Sequence, residues 1–234
     1  MRLFGIMEQQ RLYSCITVRV KENMMRHNKE KNYYEYLAKL LLEQYIPDTY
    51  SGLQLADKPD LRMGDDYGIE VTRAMLPGEG QVSGVFEHIK MKPLIEAEQR
   101  KIKTIERLGY GLLVRDGIII GYTPKSAFWV SSQELENSFL QKLEKSSHYE
   151  GFCSIDLFIF SPVFDWHEKD MINEFMMWAD ERNNGCFSKI LVYEEKYIYS
   201  YNTRNKQFRT IPIDKSVLHS CCVKAKQFAL GEYN

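Results

Sequence analysis

The sequence has little of what marks a membrane, secreted or redox protein. No apolar run approaches the roughly 18 to 20 residues that a bilayer span needs. No signal-peptide pattern is read at the start, and the five cysteines, Cys15, Cys153, Cys186, Cys221 and Cys222, form an odd set without C-x-x-C spacing. These absences predict a cytoplasmic protein with reduced thiols and no membrane partner. The vicinal Cys221 and Cys222 read as small apolar side chains near a helix, not as a redox device. Charge of one sign is lacking too. With 31 Lys and Arg against 32 Asp and Glu, the net charge is −1, so no global field draws the chain to nucleic acid. Any such contact must come from a local basic face. His27, His88, His148, His167 and His219 show no metal-ligand spacing. H-E-x-x-H, a Gly-rich phosphate loop and a nucleophile elbow are all missing, which removes zincin, P-loop and α/β-hydrolase chemistry.

What is present suits a soluble globular protein: 234 residues, 44% hydrophobic and 27% charged. Residues 12–20 alternate like a short strand or arm. From Arg26 to Tyr45 the residues Tyr33, Leu37, Leu40, Leu41 and Tyr45 make a helical stripe that Pro47 closes. Short strands follow between Leu53 and Met75, then a helical pattern over Val85–Leu108 interrupted near Pro93. Tyr110–Val114 and Ile118–Tyr122 meet at Asp116-Gly117, a hairpin signal. Ser131 or Ser132 caps a helix to about Ser146, and the apolar Cys153–Phe160 reads as a strand buried on both faces. A helix over Glu168–Arg182, strands at Lys189–Tyr193, Tyr197–Tyr201 and Phe208–Ile211, and a last helix from Asp214 complete the chain. Tyr193, Tyr197, Tyr199 and Tyr201 are expected on ordinary sheet surface. The reading is one α/β domain over residues 1–234, with an insertion at about 76–130.

The most informative segment is Pro59–Thr72, P-D-L-R-M-G-D-D-Y-G-I-E-V-T, a hairpin with Asp60 and Glu70 on consecutive strands. Side chains directly opposite in an antiparallel pair share a face, and a one-residue slip separates them. A three-residue loop pairs Asp60 with Glu70. A five-residue loop, Gly64 to Gly68, pairs Asp60 with Thr72 and is attractive because glycines bracket it. Both bring the carboxylates together, where they can share a hard cation such as Mg²⁺.

These residues resemble the PD-(D/E)XK nuclease superfamily. The helix N-Y-Y-E-Y-L-A-K-L-L, the strand P-D-L-R-M and the strand G-I-E-V-T-R-A stand in that superfamily's order. The resemblance implies a restriction-endonuclease-like fold: a mixed central sheet flanked by helices, built as helix, three strands, helix, strand, here with an inserted helix-hairpin region. It implies that Asp60 and Glu70 bind the metal and that Glu35 supports it. Thr72 stands where the superfamily carries lysine. In some members that lysine moves to the next core helix, which here carries Lys142 and Lys145.

The expected activity is therefore hydrolysis of phosphodiester bonds, with Mg²⁺ or Mn²⁺ on Asp60 and Glu70 and Lys142 positioning the attacking water. Nucleic acid, in the first place DNA, is the expected partner, and a homodimer is carried as a candidate assembly. The alternative is a catalytically inactive domain of this fold that binds nucleic acid or a protein. Two basic stretches are candidate phosphate-tracking edges: Arg19, Lys21, Arg26, Lys29 and Lys31, and Lys90, Lys92, Arg100, Lys101, Lys103 and Arg107. The second reads equally as an amphipathic helix laced with ion pairs. His148, just beyond the Lys142 helix, reads as a bystander.

Overall fold

The computed structural model describes residues 26–76, 78–125, 132–146, 149, 151–161 and 168–231. The strand or arm expected at 12–20, Arg19 and Lys21, Cys15 and His148 lie outside them, as do the side chains of residues 26–31. The described chain divides into two compact units, one of residues 76–125 and one of residues 26–75 with 132–231.

The larger unit is mixed α/β. Its helices are α1 (Arg26–Tyr45), α2 (Pro47–Tyr50), α5 (Ser132–Ser146), α6 (Glu168–Arg182) and α7 (Lys215–Leu230). Its strands are β1 (Gln54–Leu55), β2 (Leu61–Met63), β3 (Tyr67–Arg73), β6 (Ser154–Phe160), β7 (Lys189–Glu194), β8 (Tyr197–Asn202) and β9 (Gln207–Pro212). They form one seven-stranded sheet in the order β1-β2-β3-β6-β7-β8-β9. The central β3, β6 and β7 run parallel, and the flanking pairs are antiparallel. Parallel neighbours need long crossovers; α5 lies in the one before β6 and α6 in the one before β7.

Helices cover both faces of the sheet, which explains why β6 is apolar apart from Ser154 and Asp156. On one face α1 and α7 bury Leu37, Leu41, Leu42, Cys221 and Ala225 against Leu61, Ile69, Val71, Phe158 and Phe160. On the other, α5 and α6 bury Leu135, Phe139, Phe175 and Met176 against Leu157, Ile159, Ile190 and Val192. The alternation fixes which side chains of β3 look where. Ile69 and Val71 face α1, so Glu70 and Thr72 face α5. Two-sided cover also corrects the tyrosine expectation: Tyr193 is buried on the α1 face and Tyr199 and Tyr201 on the other, where the half-buried Tyr197 packs beside them. Asp214 caps α7, accepting from the Ser216 and Val217 amides at 2.8 and 3.2 Å.

In the smaller unit, α3 (Glu79–Phe86) and α4 (Gln99–Arg107) accompany the hairpin of β4 (Tyr110–Arg115) and β5 (Ile118–Pro124). The single interrupted helix expected over Val85–Leu108 is two separate helices. Between them the backbone bonds to the hairpin instead: Met91 N–H to Ile119 O at 2.8 Å, Leu94 N–H to Gly117 O at 2.8 Å. The basic residues here are partly paired, Lys101 with Glu98 at 2.6 Å and Lys90 with Glu87 at 3.5 Å.

Candidate active site

The β2–β3 hairpin pairs Leu61 with Ile69, Arg62 with Gly68 and Met63 with Tyr67. That register leaves the three-residue loop Gly64–Asp66 and sets Asp60 level with Glu70 on the α5 face. The five-residue loop is not formed. Gly64 serves the turn with a left-handed φ of 66°. Gly68 is needed for close approach instead, because a Cβ there would run into Cγ of Pro59. Its missing side chain lets the Pro59 ring lie on β3, and Asp60 follows directly.

Both carboxylates are buried, Asp60 to 3% exposure and Glu70 to 1%. Their counter-charge comes from α5. Lys142 Nζ donates to Asp60 Oδ2 at 2.9 Å and to Glu70 Oε2 in a shorter hydrogen bond. Asp60 Oδ2 accepts a second bond, from the Val71 amide at 2.8 Å. Helix α5 is fixed one turn earlier by Ser138 Oγ, which donates to Arg73 O at 3.2 Å. Burial pulls the Lys142 pKa down, but the Asp60 and Glu70 charges and their hydrogen bonds outweigh it, and the net shift is upward. The ammonium is thus a held cation and a donor at neutral pH, not a base. The three groups together carry one net negative charge.

Glu70 Oε1 is buried and closes no hydrogen bond. Tyr149 faces it: burial first, then the adjacent Glu70 carboxylate, raises the phenol above its ordinary pKa. Two hard carboxylate ligands meeting at one point already taken by a cation, with a spare buried oxygen, fit a hard divalent ion such as Mg²⁺. Among the described residues no group of three or more His, Cys, Asp or Glu side chains converges to hold a metal. Water and substrate oxygens would have to complete such a shell.

The remaining candidates are placed differently. Thr72 is half-buried, two residues beyond Glu70 on the same face. Lys145 is exposed, so of the two lysines on α5 only Lys142 joins the carboxylates. Glu35 is buried at 5% on α1, the helix whose apolar residues cover the opposite face of the sheet. Nearby on α1, Tyr34 accepts from Arg73 Nη1 at 2.9 Å at the end of β3.

Two features escaped the sequence reading. Asp156 is fully buried on the α1 face and accepts from the hydroxyls of Tyr50, at 2.6 Å, and Tyr67. Burial raises its carboxyl pKa despite those donors. The signal was one acid within an otherwise apolar S-I-D-L-F-I-F strand. The other is an open cleft of about 730 Å³ at the start of β6 and β7, which Tyr149, Phe152 and Arg204 help to line. No family model matches this chain, and no curated protein or solved structure matches it significantly.

Proposed function

We propose that this protein is a divalent-metal-dependent nuclease of restriction-endonuclease-like fold, cleaving phosphodiester bonds of DNA. One observation carries the reading: the lysine missing at Thr72 has a counterpart in Lys142, whose Nζ lies between Asp60 and Glu70. The chain order of helix, three strands, helix and strand, with residues 76–125 intervening, supports it. Asp60 and Glu70 would hold Mg²⁺ or Mn²⁺, which lowers the pKa of bound water and offsets charge on a phosphoryl group. Lys142, protonated at neutral pH, donates toward the attacking water or a phosphate oxygen. The Val71 amide holds Asp60 in place, and burial keeps bulk water from screening these charges.

The test is cleavage of duplex and single-stranded DNA with Mg²⁺ or Mn²⁺ by wild type, Asp60→Ala, Glu70→Ala and Lys142→Ala. Loss of activity in all three variants is expected; wild-type cleavage by both acid variants would sink the assignment. A second reading, a non-catalytic domain of this fold that binds nucleic acid or a protein, has its own support. Lys142 neutralises one carboxylate charge, and Glu35 is on the other face of the sheet. Calorimetry with Mn²⁺ separates the two: heat lost on Asp60→Ala favours the nuclease, and no heat in the wild type favours the binding domain.

A further inference from the structure

We infer that the cleft beside the carboxylate pair is a nucleoside subsite, taking one unpaired base and its phosphate from a strand lying across Asp60, Glu70 and Lys142. The inference rests on the nuclease reading for the strand, but the cleft is defined independently of any metal. It adjoins the carboxylates through its own lining residues. Cys153 donates its N–H to Asp66 O in the β2–β3 turn at 2.8 Å, and Leu143 and Ser146 follow Lys142 on α5. At about 730 Å³ it lies within the range of small-molecule sites and exceeds what a lone phosphate needs.

Its chemistry is that of a nucleotide. Tyr149 and Phe152 give two aromatic rings with centroids 6.4 Å apart and planes at 57°. The guanidinium of Arg62 lies 5.0 Å above Phe152 and fixes that ring from one side. Base stacking on such rings is sequence-tolerant, since every base has a π-face. Ser154 and Ser188 present hydroxyls 2.8 Å apart for a base or sugar edge. Arg204, exposed at the rim, has Nη2 3.5 Å from Ser188 Oγ and can meet a phosphate. Glu144 is the single acid of the lining, but the charges of Glu70, Asp60 and Asp57 reach its Tyr149 end, so a phosphate is met at the Arg204 rim.

A concave site can take a base only if that base has left its stack. Within a duplex, bases cover one another, and extruding one costs a few kcal/mol. The cleft therefore selects single strands, frayed ends or extruded nucleotides over continuous duplex.

The experiment titrates dAMP, dCMP, dGMP and dTMP, and separately inorganic phosphate, into the full chain in EDTA, read by calorimetry. Binding of the mononucleotides, with phosphate much weaker, is expected. Phe152→Leu keeps apolar bulk under Arg62 but removes the flat face, and should weaken binding about tenfold. Arg204→Ala should weaken it several-fold, whereas Lys206→Ala, which removes one charge from the same loop, should not. Equal losses at Arg204 and Lys206, or phosphate binding as tightly as dTMP, would reduce the cleft to general charge attraction and overturn the proposal. No heat from any mononucleotide up to millimolar concentration would overturn it as well. Where Phe152→Leu does not fold by circular dichroism, the Arg204 and Lys206 pair decides alone. The two readings fail separately. Cleavage with Mn²⁺ but no mononucleotide binding keeps the nuclease and loses the cleft; binding in EDTA without cleavage does the reverse.

Discussion

Replacing Lys142 by Met removes the cation between Asp60 and Glu70 while keeping an apolar stem of similar reach. The side chains left behind are 5% and 2% exposed, and that of Lys142 itself is 13% exposed. Glu70 then loses its cationic donor and is left with the Tyr149 phenol beside it, whereas Asp60 keeps the Val71 amide. Removing one partner of a buried ion pair costs about 3–5 kcal/mol, because the survivor stays charged and unsolvated. Against a total stability of about 5–15 kcal/mol for a domain, that is a large fraction. Urea unfolding at pH 7 in EDTA should show it as a lower midpoint at unchanged slope. The native pKa of Lys142 is raised, so its stabilisation is complete below the ordinary lysine value of about 10.4 and fades only as pH climbs through the higher native value. At pH 7 the full loss is therefore expected. Adding Glu70→Gln should return part of it, giving a coupling energy of about 2 kcal/mol in the double-mutant cycle. Mn²⁺ at one hundred times its Kd should restore about 2.7 kcal/mol. A cost below about 1 kcal/mol, or no coupling with Glu70, would refute the view of Lys142 as the counter-charge of this site.

Gly68→Ala drives a methyl into the Pro59 ring, and overpacking of that kind costs about 1–3 kcal/mol. Its melting temperature should fall, and the Lys142–Glu70 coupling should weaken because Asp60 moves with Pro59. Asp156→Asn should stabilise the protein at neutral pH. The native pKa of Asp156 lies above its unfolded value, so its stabilising effect belongs to low pH and is lost as pH rises through the native value. The variant's advantage, read from thermal unfolding, should therefore grow from pH 4 to pH 7; a constant difference would refute it. Asp214→Ala removes the acceptor for two amides of α7 and should lower the melting temperature. Because bonding to Ser216 and those amides holds that carboxyl below its ordinary pKa, the difference from wild type should shrink as pH falls through the carboxylate range.

Much of the element order was legible because it rests on local rules. The stripe of α1, the cap at Asp214 and the apolar run of β6 each declare themselves within a few residues. The hairpin was legible only to its parity. Three- and five-residue loops both put Asp60 beside Glu70, and what selects between them is the contact of Pro59 with Gly68, invisible to spacing. The choice between Lys142 and Lys145 was legible in principle. Leu135, Ser138, Phe139 and Ser146 of α5 are buried, and Lys142 falls in the middle of their stripe while Lys145 falls at its edge beside Ser138. A lysine placed where a core residue belongs is the signal. Tyr193, Tyr199 and Tyr201 were misjudged because alternation reports one face of a strand, not whether a helix covers it. The Asp156 cluster joins residues 50, 67 and 156, a meeting that only the tertiary fold makes.

Lys142 stands 82 residues after Asp60 and 72 after Glu70, and residues 76–125 form their own unit between them. During synthesis both acids leave the ribosome long before the lysine that neutralises them. The nascent hairpin carries its charges in water until α5 emerges and docks, so the centre is assembled late, by a long-range closure whose entropy slows it. A chain interrupted before residue 132 retains both acidic side chains and lacks the element that turns them into a site.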